Sequence, residues 1–132
     1  MAAETGARWE AAVVAWLRSR GHRDAFRLRG QEGPLDHGDV GGFSRWALDC
    51  KDHAKHTLSA WVKQVKQEAR NSEKPLAAVI VKRRGAKPED AYVVMDLATW
   101  SRLERYLDTL AADVLDRDEC PVSEVVDGAE YL

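Results

Sequence analysis

Apolar residues recur along the chain at two periods. Trp9, Ala12, Val13, Trp16 and Leu17 follow helical spacing and predict a first helix over residues 5–19. Thr5 stands where an N-cap belongs, and Gly21 stands where the helix should stop. Residues 25–29 read as extended chain, and residues 30–38 carry the Gly, Pro and Asp signals of a loop. Strands are expected over 39–43 and 45–51, with Ser44 as the turn between them. Leu58, Trp61, Val62, Val65 and Ala69 return to helical spacing over 58–71. Residues 76–81, Leu-Ala-Ala-Val-Ile-Val, form an unbroken apolar run, the mark of a strand buried on both faces. A turn over 85–90, a strand over 91–96 and a helix over 97–111 complete the pattern. The last helix carries Leu97, Trp100, Leu103, Leu107 and Leu110 on one side.

The order is α-β-β-β-α-β-β-α, which predicts an α/β fold with a mixed sheet of about five strands flanked by helices. Neither an internal repeat nor an interdomain linker interrupts it. Residues 1–112 are expected to form one domain, with 113–132 as an acidic tail.

Charge changes this picture. The net charge of −2 argues against a polyanionic partner. Its distribution does not, because residues 113–132 hold seven acids against Arg117 alone, and the rest of the chain carries +4. A basic body with an acidic tail is compatible with nucleic acid. No apolar run is long enough to cross a bilayer, and Met-Ala-Ala-Glu-Thr-Gly lacks the layout of a signal peptide. A cytoplasmic protein without membrane contact is the expectation. Cys50 and Cys120 are too few for a disulfide framework, and Cys50 reads as a small buried apolar residue.

Candidate chemistry gathers at Asp39 and at Asp49-Cys50-Lys51, the chain's one acid-x-Lys triplet. Alternation along a strand puts Asp49 and Lys51 on one face and Cys50 on the other. Asp39, ten positions earlier on the neighbouring strand, can reach the same face. Glu10 borders the apolar stripe of the first helix. Carboxylates converging beside an ammonium suit hydrolysis of a phosphodiester, which needs a hard cation, an oriented water and a stabilised leaving oxygen.

Trp9-Glu10 on a first helix, a Gly21-His22 exit, Phe26-Arg27 on a strand, Gly38-Asp39-Val40 and Leu48-Asp49-Cys50-Lys51 together resemble the PD-(D/E)xK nuclease core. The likeness covers roughly residues 5–100 and is greatest to small Holliday-junction resolvases of the archaeal and phage kind. It implies a homodimeric, Mg²⁺-dependent endonuclease (Mn²⁺ substituting) acting on branched DNA. Asp39 and Asp49 would bind the metal with the backbone carbonyl of Cys50, and Lys51 would position the attacking water. Glu10 would bind a second metal or a water on it, and Gln64 would border the site. The chain departs from the family at several points. Asp49 stands where Glu is commoner, Gly38 where Pro usually precedes the second acid, and Gly30-Gln31-Glu32-Gly33 where resolvases tend to carry a serine. Asp36 is a rival to Asp39 as ligand.

Arg27, Arg29, Lys55, Lys82, Arg83 and Arg84 are the candidate contacts to DNA phosphates. Cys50, His53 and His56 have ligand-like spacing for zinc, but Cys50 is expected to point away from them and no clean fourth ligand stands out. Neither Gly-x-Ser-x-Gly nor a Walker loop occurs. Two alternatives stand beside a junction resolvase. One is a less selective nuclease of the same superfamily, and the other is a DNA-binding protein that keeps the fold without turnover.

Overall fold

The computed structural model describes residues 2–28 and 35–116. The elements run α1 (Ala2–Ser19), β1 (Phe26–Arg27), β2 (Val40–Gly41), β3 (Trp46–Lys51), α2 (Leu58–Asn71), β4 (Leu76–Val81), a 3₁₀ turn (Pro88–Asp90), β5 (Tyr92–Val94) and α3 (Leu97–Asp116). The fold is α/β, with one mixed five-stranded sheet in the order β1-β2-β3-β4-β5 and three helices. β3 and β4 pair in parallel through the α2 crossover, with Asp49 opposite Val79. The other neighbours pair antiparallel.

Alternation along the central strands divides the core between two faces of the sheet. On one face Trp9, Val13 and Val14 of α1 pack on Leu48, Cys50, Ala78 and Ile80. The Trp9 indole N–H donates to the Ile80 carbonyl at 3.2 Å, which fixes α1 against β4. On the other face Trp61, Val65 and Ala69 of α2 pack on Ala47, Ala77, Val79 and Val81. Every residue of β4 is buried, as an apolar strand covered on both sides must be.

Several boundaries differ from expectation. α1 begins at Ala2, so Thr5 lies within the helix and is not its cap. Ala2, Ala3 and Glu4 are good helix formers that carry it further back. β2 is shorter than residues 39–43, because the chain turns away at Gly42, whose φ is +95°. A Cβ there would meet the Asp24 carbonyl oxygen at 2.2 Å, so only glycine allows β2 to pass under that loop. α3 continues to Asp116, past the expected boundary at 112. The described residues divide into two compact units, one ending at Thr99 and one beginning at Trp100. No helix among the described residues is long and apolar enough to cross a membrane.

Candidate acidic site on the α2 face of β3

β3 carries Asp49 into the interior at 2% exposure, on the face that packs against α2. Lys51 follows two residues later on the same face, its ammonium 4.0 Å from Asp49 Oδ2. That distance is too long for a hydrogen bond but close enough for strong attraction. Lys51 Nζ donates instead to Gln64 Oε1 at 3.2 Å. The other end of the same amide, Gln64 Nε2, donates to Glu68 Oε1 at 3.0 Å. Gln64 and Glu68 lie four residues apart and therefore on one side of α2. Lys51, Gln64, Glu68 and Asp49 thus close a polar ring between β3 and α2.

Glu68 is the residue that sequence reasoning missed. It is 1% exposed and sits among the core positions of α2. Its signal was an acid in phase with Trp61, Val65 and Ala69, where a helix of this spacing buries apolar side chains. Room for its carboxylate is kept by Gly38, whose φ is +103°. A Cβ on Gly38 would come within 3.4 Å of Glu68 Oε2 and 2.8 Å of the Leu48 carbonyl oxygen.

Neither Asp49 Oδ2 nor Glu68 Oε2 meets a hydrogen-bond donor. The two carboxyls meet each other, and they can hydrogen-bond only when one of them carries a proton. Burial pushes the Asp49 carboxyl well above the usual carboxylate range. The hydrogen bond from Glu68 opposes that shift, the charge of Asp39 adds to it, and Lys51 lowers it again. Burial likewise pushes Glu68 up, reinforced by its hydrogen bond to Asp49 and by the charges of Asp49 and Asp36. Two buried acids that cannot both ionise must share a proton or be offset by a positive charge.

Asp39 approaches from β2. Its Oδ2 accepts the Cys50 N–H at 2.8 Å, and its own N–H donates to the Leu48 carbonyl at 2.8 Å. The side chain thus extends the β2–β3 ladder past the last backbone pair, and its charge reaches Asp49. Asp36 also reaches the cluster. Its Oδ1 accepts the Gly38 N–H at 2.9 Å, and its charge acts on both Asp49 and Glu68. Asp36 and Asp39 therefore act on the buried Asp49–Glu68 pair, which lies beside Lys51 and Gln64.

Glu10 meets a base. It projects from α1 and binds Arg27, its Oε1 accepting from both Nε and Nη2 at 3.3 Å. α1 packs on the sheet face opposite Asp49, and the charge of Glu10 acts, with those of Asp39 and Asp49, on the Cys50 thiol between them. The candidate DNA contacts have intramolecular partners as well. Asp52, its side chain 3% exposed, pairs with Lys82 at 3.7 Å and with Arg84 at 3.5 Å. Lys82 also lies over the Trp9 ring, and Arg83 lies over Tyr92. Lys55 is exposed between β3 and α2. Arg29 lies outside the described residues.

Cys50 packs among α1 residues with its thiol pushed far up, by burial first and then by neighbouring carboxylates, so it supplies no thiolate. His53 and His56 both rest against the Trp61 ring on the far side of the sheet from that thiol. A zinc site built on all three is thereby removed. A groove of about 490 Å³ along α2, lined in part by Lys63, Lys66 and Arg70, includes none of the clustered carboxylates.

A divalent cation would meet two carboxylate donors here. Asp49 and Glu68 offer oxygens without donors, and Asp39 and Asp36 add negative charge on the same side. Among the described residues no three His, Cys, Asp or Glu side chains group closely enough to hold a metal ion by themselves. An ion that keeps several of its own waters, as Mg²⁺ does, suits so open a set. Comparison with family models, with curated proteins and with solved structures returns no match.

Proposed function

We propose that this chain is a divalent-cation-dependent DNA endonuclease of the PD-(D/E)xK kind, with a four-way junction as its substrate. What supports this reading most is the buried Asp49–Glu68 pair, with one oxygen of each lacking a donor, beside the Lys51 ammonium. Burying two carboxyls with an oxygen of each lacking a donor is costly, and such pairs concentrate at functional sites. Asp49, Asp39 and Glu68 would hold the cation, with Mg²⁺ or Mn²⁺ as the matching ions. The ion supplies positive charge against the phosphoryl oxygens and acidifies water at neutral pH.

The chain's own residues do the rest. Lys51 Nζ donates hydrogen bonds at the mouth of the acidic cluster, where it can orient a water or neutralise a phosphate oxygen. Gln64 fixes that ammonium by accepting from it, and Glu68 fixes Gln64 by accepting from the amide. Exposed bases, Lys55 and Arg83 first, would grip the DNA backbone without reading sequence. Lys82 and Arg84 reach a phosphate only by loosening their hold on Asp52.

The test is cleavage of a labelled four-way junction with Mg²⁺, beside matched duplex and the Lys51→Ala variant. Paired symmetric nicks that vanish in the variant would establish site and substrate together. Cleavage of plain duplex at an equal rate would remove the junction. Absence of cleavage on every substrate, with either ion, would remove the enzyme.

A further inference from the structure

We infer, resting on the nuclease reading for the strand at Lys51, that Tyr92 and Arg83 form a stacking platform for one unpaired nucleobase of the same DNA. Residues paired directly across a sheet project to the same face. Lys51 stands opposite Val81, and Val81 stands opposite Tyr92, so the three form one row across β3, β4 and β5. The row faces α2. Lys51 donates to Gln64 of α2, and Val81 packs in the cluster that includes Trp61. Neighbouring strands lie about 4.8 Å apart, so the backbones at Lys51 and Tyr92 are separated by roughly 10 Å. A DNA strand whose phosphate meets Lys51 can therefore bring a neighbouring base to Tyr92.

The basic run after β4 is divided by the same alternation. Lys82 and Arg84 pair with Asp52, and Lys82 lies over Trp9 of α1. Arg83 goes the other way, its guanidinium 5.1 Å from the centre of the Tyr92 ring. Of the three bases, Arg83 is the one whose contact lies in the row of Lys51.

Burial does not account for Tyr92. It is 52% exposed, and Arg83 above it is exposed as well. An aromatic ring with a guanidinium stacked on it presents a flat π surface edged by positive charge. Single-stranded nucleic acid is held by that combination, because bases stack on the ring while the cation draws the backbone. A paired base offers only its edges, since its faces are taken by its neighbours in the stack. An unpaired base offers a face, and exposing it costs least where pairing is already broken. The platform thus selects DNA by interrupted pairing and not by sequence, because every base has a π face.

Fluorescence anisotropy of the full chain, with EDTA present, tests the platform on two labelled duplexes. One carries a single bulged deoxyadenosine, and the other carries an abasic bulge in its place. The wild type should bind the bulged base more tightly by about 10- to 100-fold. Tyr92→Ala should remove that advantage, and Tyr92→Phe, which keeps the ring, should restore most of it. Circular dichroism checks that each variant is folded. Tyr92→Leu, which keeps apolar bulk without a π face, serves should Tyr92→Ala unfold. Equal wild-type affinity for the two bulges overturns the platform. A folded Tyr92→Ala or Tyr92→Leu that keeps the advantage overturns it equally. Binding is read without metal and therefore without cleavage. A chain that cuts the junction yet ignores the bulged base loses the platform and keeps the nuclease. A chain that prefers the bulged base and cuts nothing keeps the platform and loses the nuclease.

Discussion

Glu68→Gln should make the metal-free protein more stable at neutral pH and reduce its pH dependence. In the wild type, Asp49 and Glu68 are 2% and 1% exposed, and burial raises both carboxyls. In the unfolded chain the same groups ionise near pH 4. A group whose folded pKa is raised stabilises the fold below its unfolded pKa and loses that contribution as pH rises toward its folded value. The folded pair, sharing one proton, therefore binds about one proton more than the unfolded chain near neutrality. One such proton changes stability by about 1.4 kcal/mol per pH unit, so raising the pH from about 5.5 to about 7.5 should cost roughly 3 kcal/mol. That is a large part of the 5–15 kcal/mol, roughly, that a domain of this kind has to lose. The glutamine amide keeps the shape of Glu68, accepts from Gln64 through its oxygen and donates to Asp49 through its nitrogen, with no proton to take up. Urea denaturation followed by tryptophan fluorescence, with EDTA present, would measure both proteins across that range. A wild-type stability that is flat with pH would refute the reasoning, and so would an equal slope in the variant. Saturating Mn²⁺ should flatten the wild-type curve, because a cation replaces the shared proton.

Other outcomes follow from single contacts. Asp49→Asn should abolish cleavage while the chain stays folded, since it removes ligand charge and keeps shape; junction cleavage and circular dichroism check the two halves. Gly42→Ala should cost about 1–3 kcal/mol or more in urea denaturation, because its Cβ would meet the Asp24 carbonyl oxygen at 2.2 Å at a φ of +95°. Asp96 caps α3 by accepting the Thr99 N–H at 2.9 Å and also binds Lys66 at 2.7 Å. Asp96→Ala should therefore cost about 1 kcal/mol. The bond from Lys66, and then those from Thr99, hold the Asp96 carboxyl below its usual range. Its stabilisation is thus present above that range and is lost as pH falls through it, so the penalty of Asp96→Ala should shrink in acid.

Periodicity made the sheet legible because each central element obeys one rule over its whole length. α2 and β4 occupy the expected residues, 58–71 and 76–81. Both bury a continuous face, so local pattern and tertiary packing agree. The errors fall where backbone geometry decides instead of side-chain pattern. β2 ends at Gly41 because the chain must bend at Gly42 beneath Asp24, and no count of apolar residues contains that constraint. The first helix starts earlier than Thr5 because two alanines and a glutamate extend a helix as readily as a cap starts one.

The acidic site was half legible for a related reason. Asp39, Asp49 and Lys51 come together because strand alternation and hairpin pairing are local rules, and they suffice to place residues on neighbouring strands. Placing Glu10 required knowing how α1 rotates over the sheet, which depends on packing along its whole length. The structure pairs Glu10 with Arg27, and its charge reaches the Cys50 thiol together with those of Asp39 and Asp49. Glu68 required the opposite inference: an acid at a core position of α2 has to be read as a partner for something buried across from it. The parallel β3–α2–β4 unit supplies that partner, because α2 covers the face on which Asp49 sits, and the Glu68 carboxyl entering there meets the Gln64 amide and the Asp49 carboxyl. The cost of burying Glu68 is therefore what singles it out, and a chain in which Glu68→Leu gained stability without losing cation binding would show that the acid serves the fold alone.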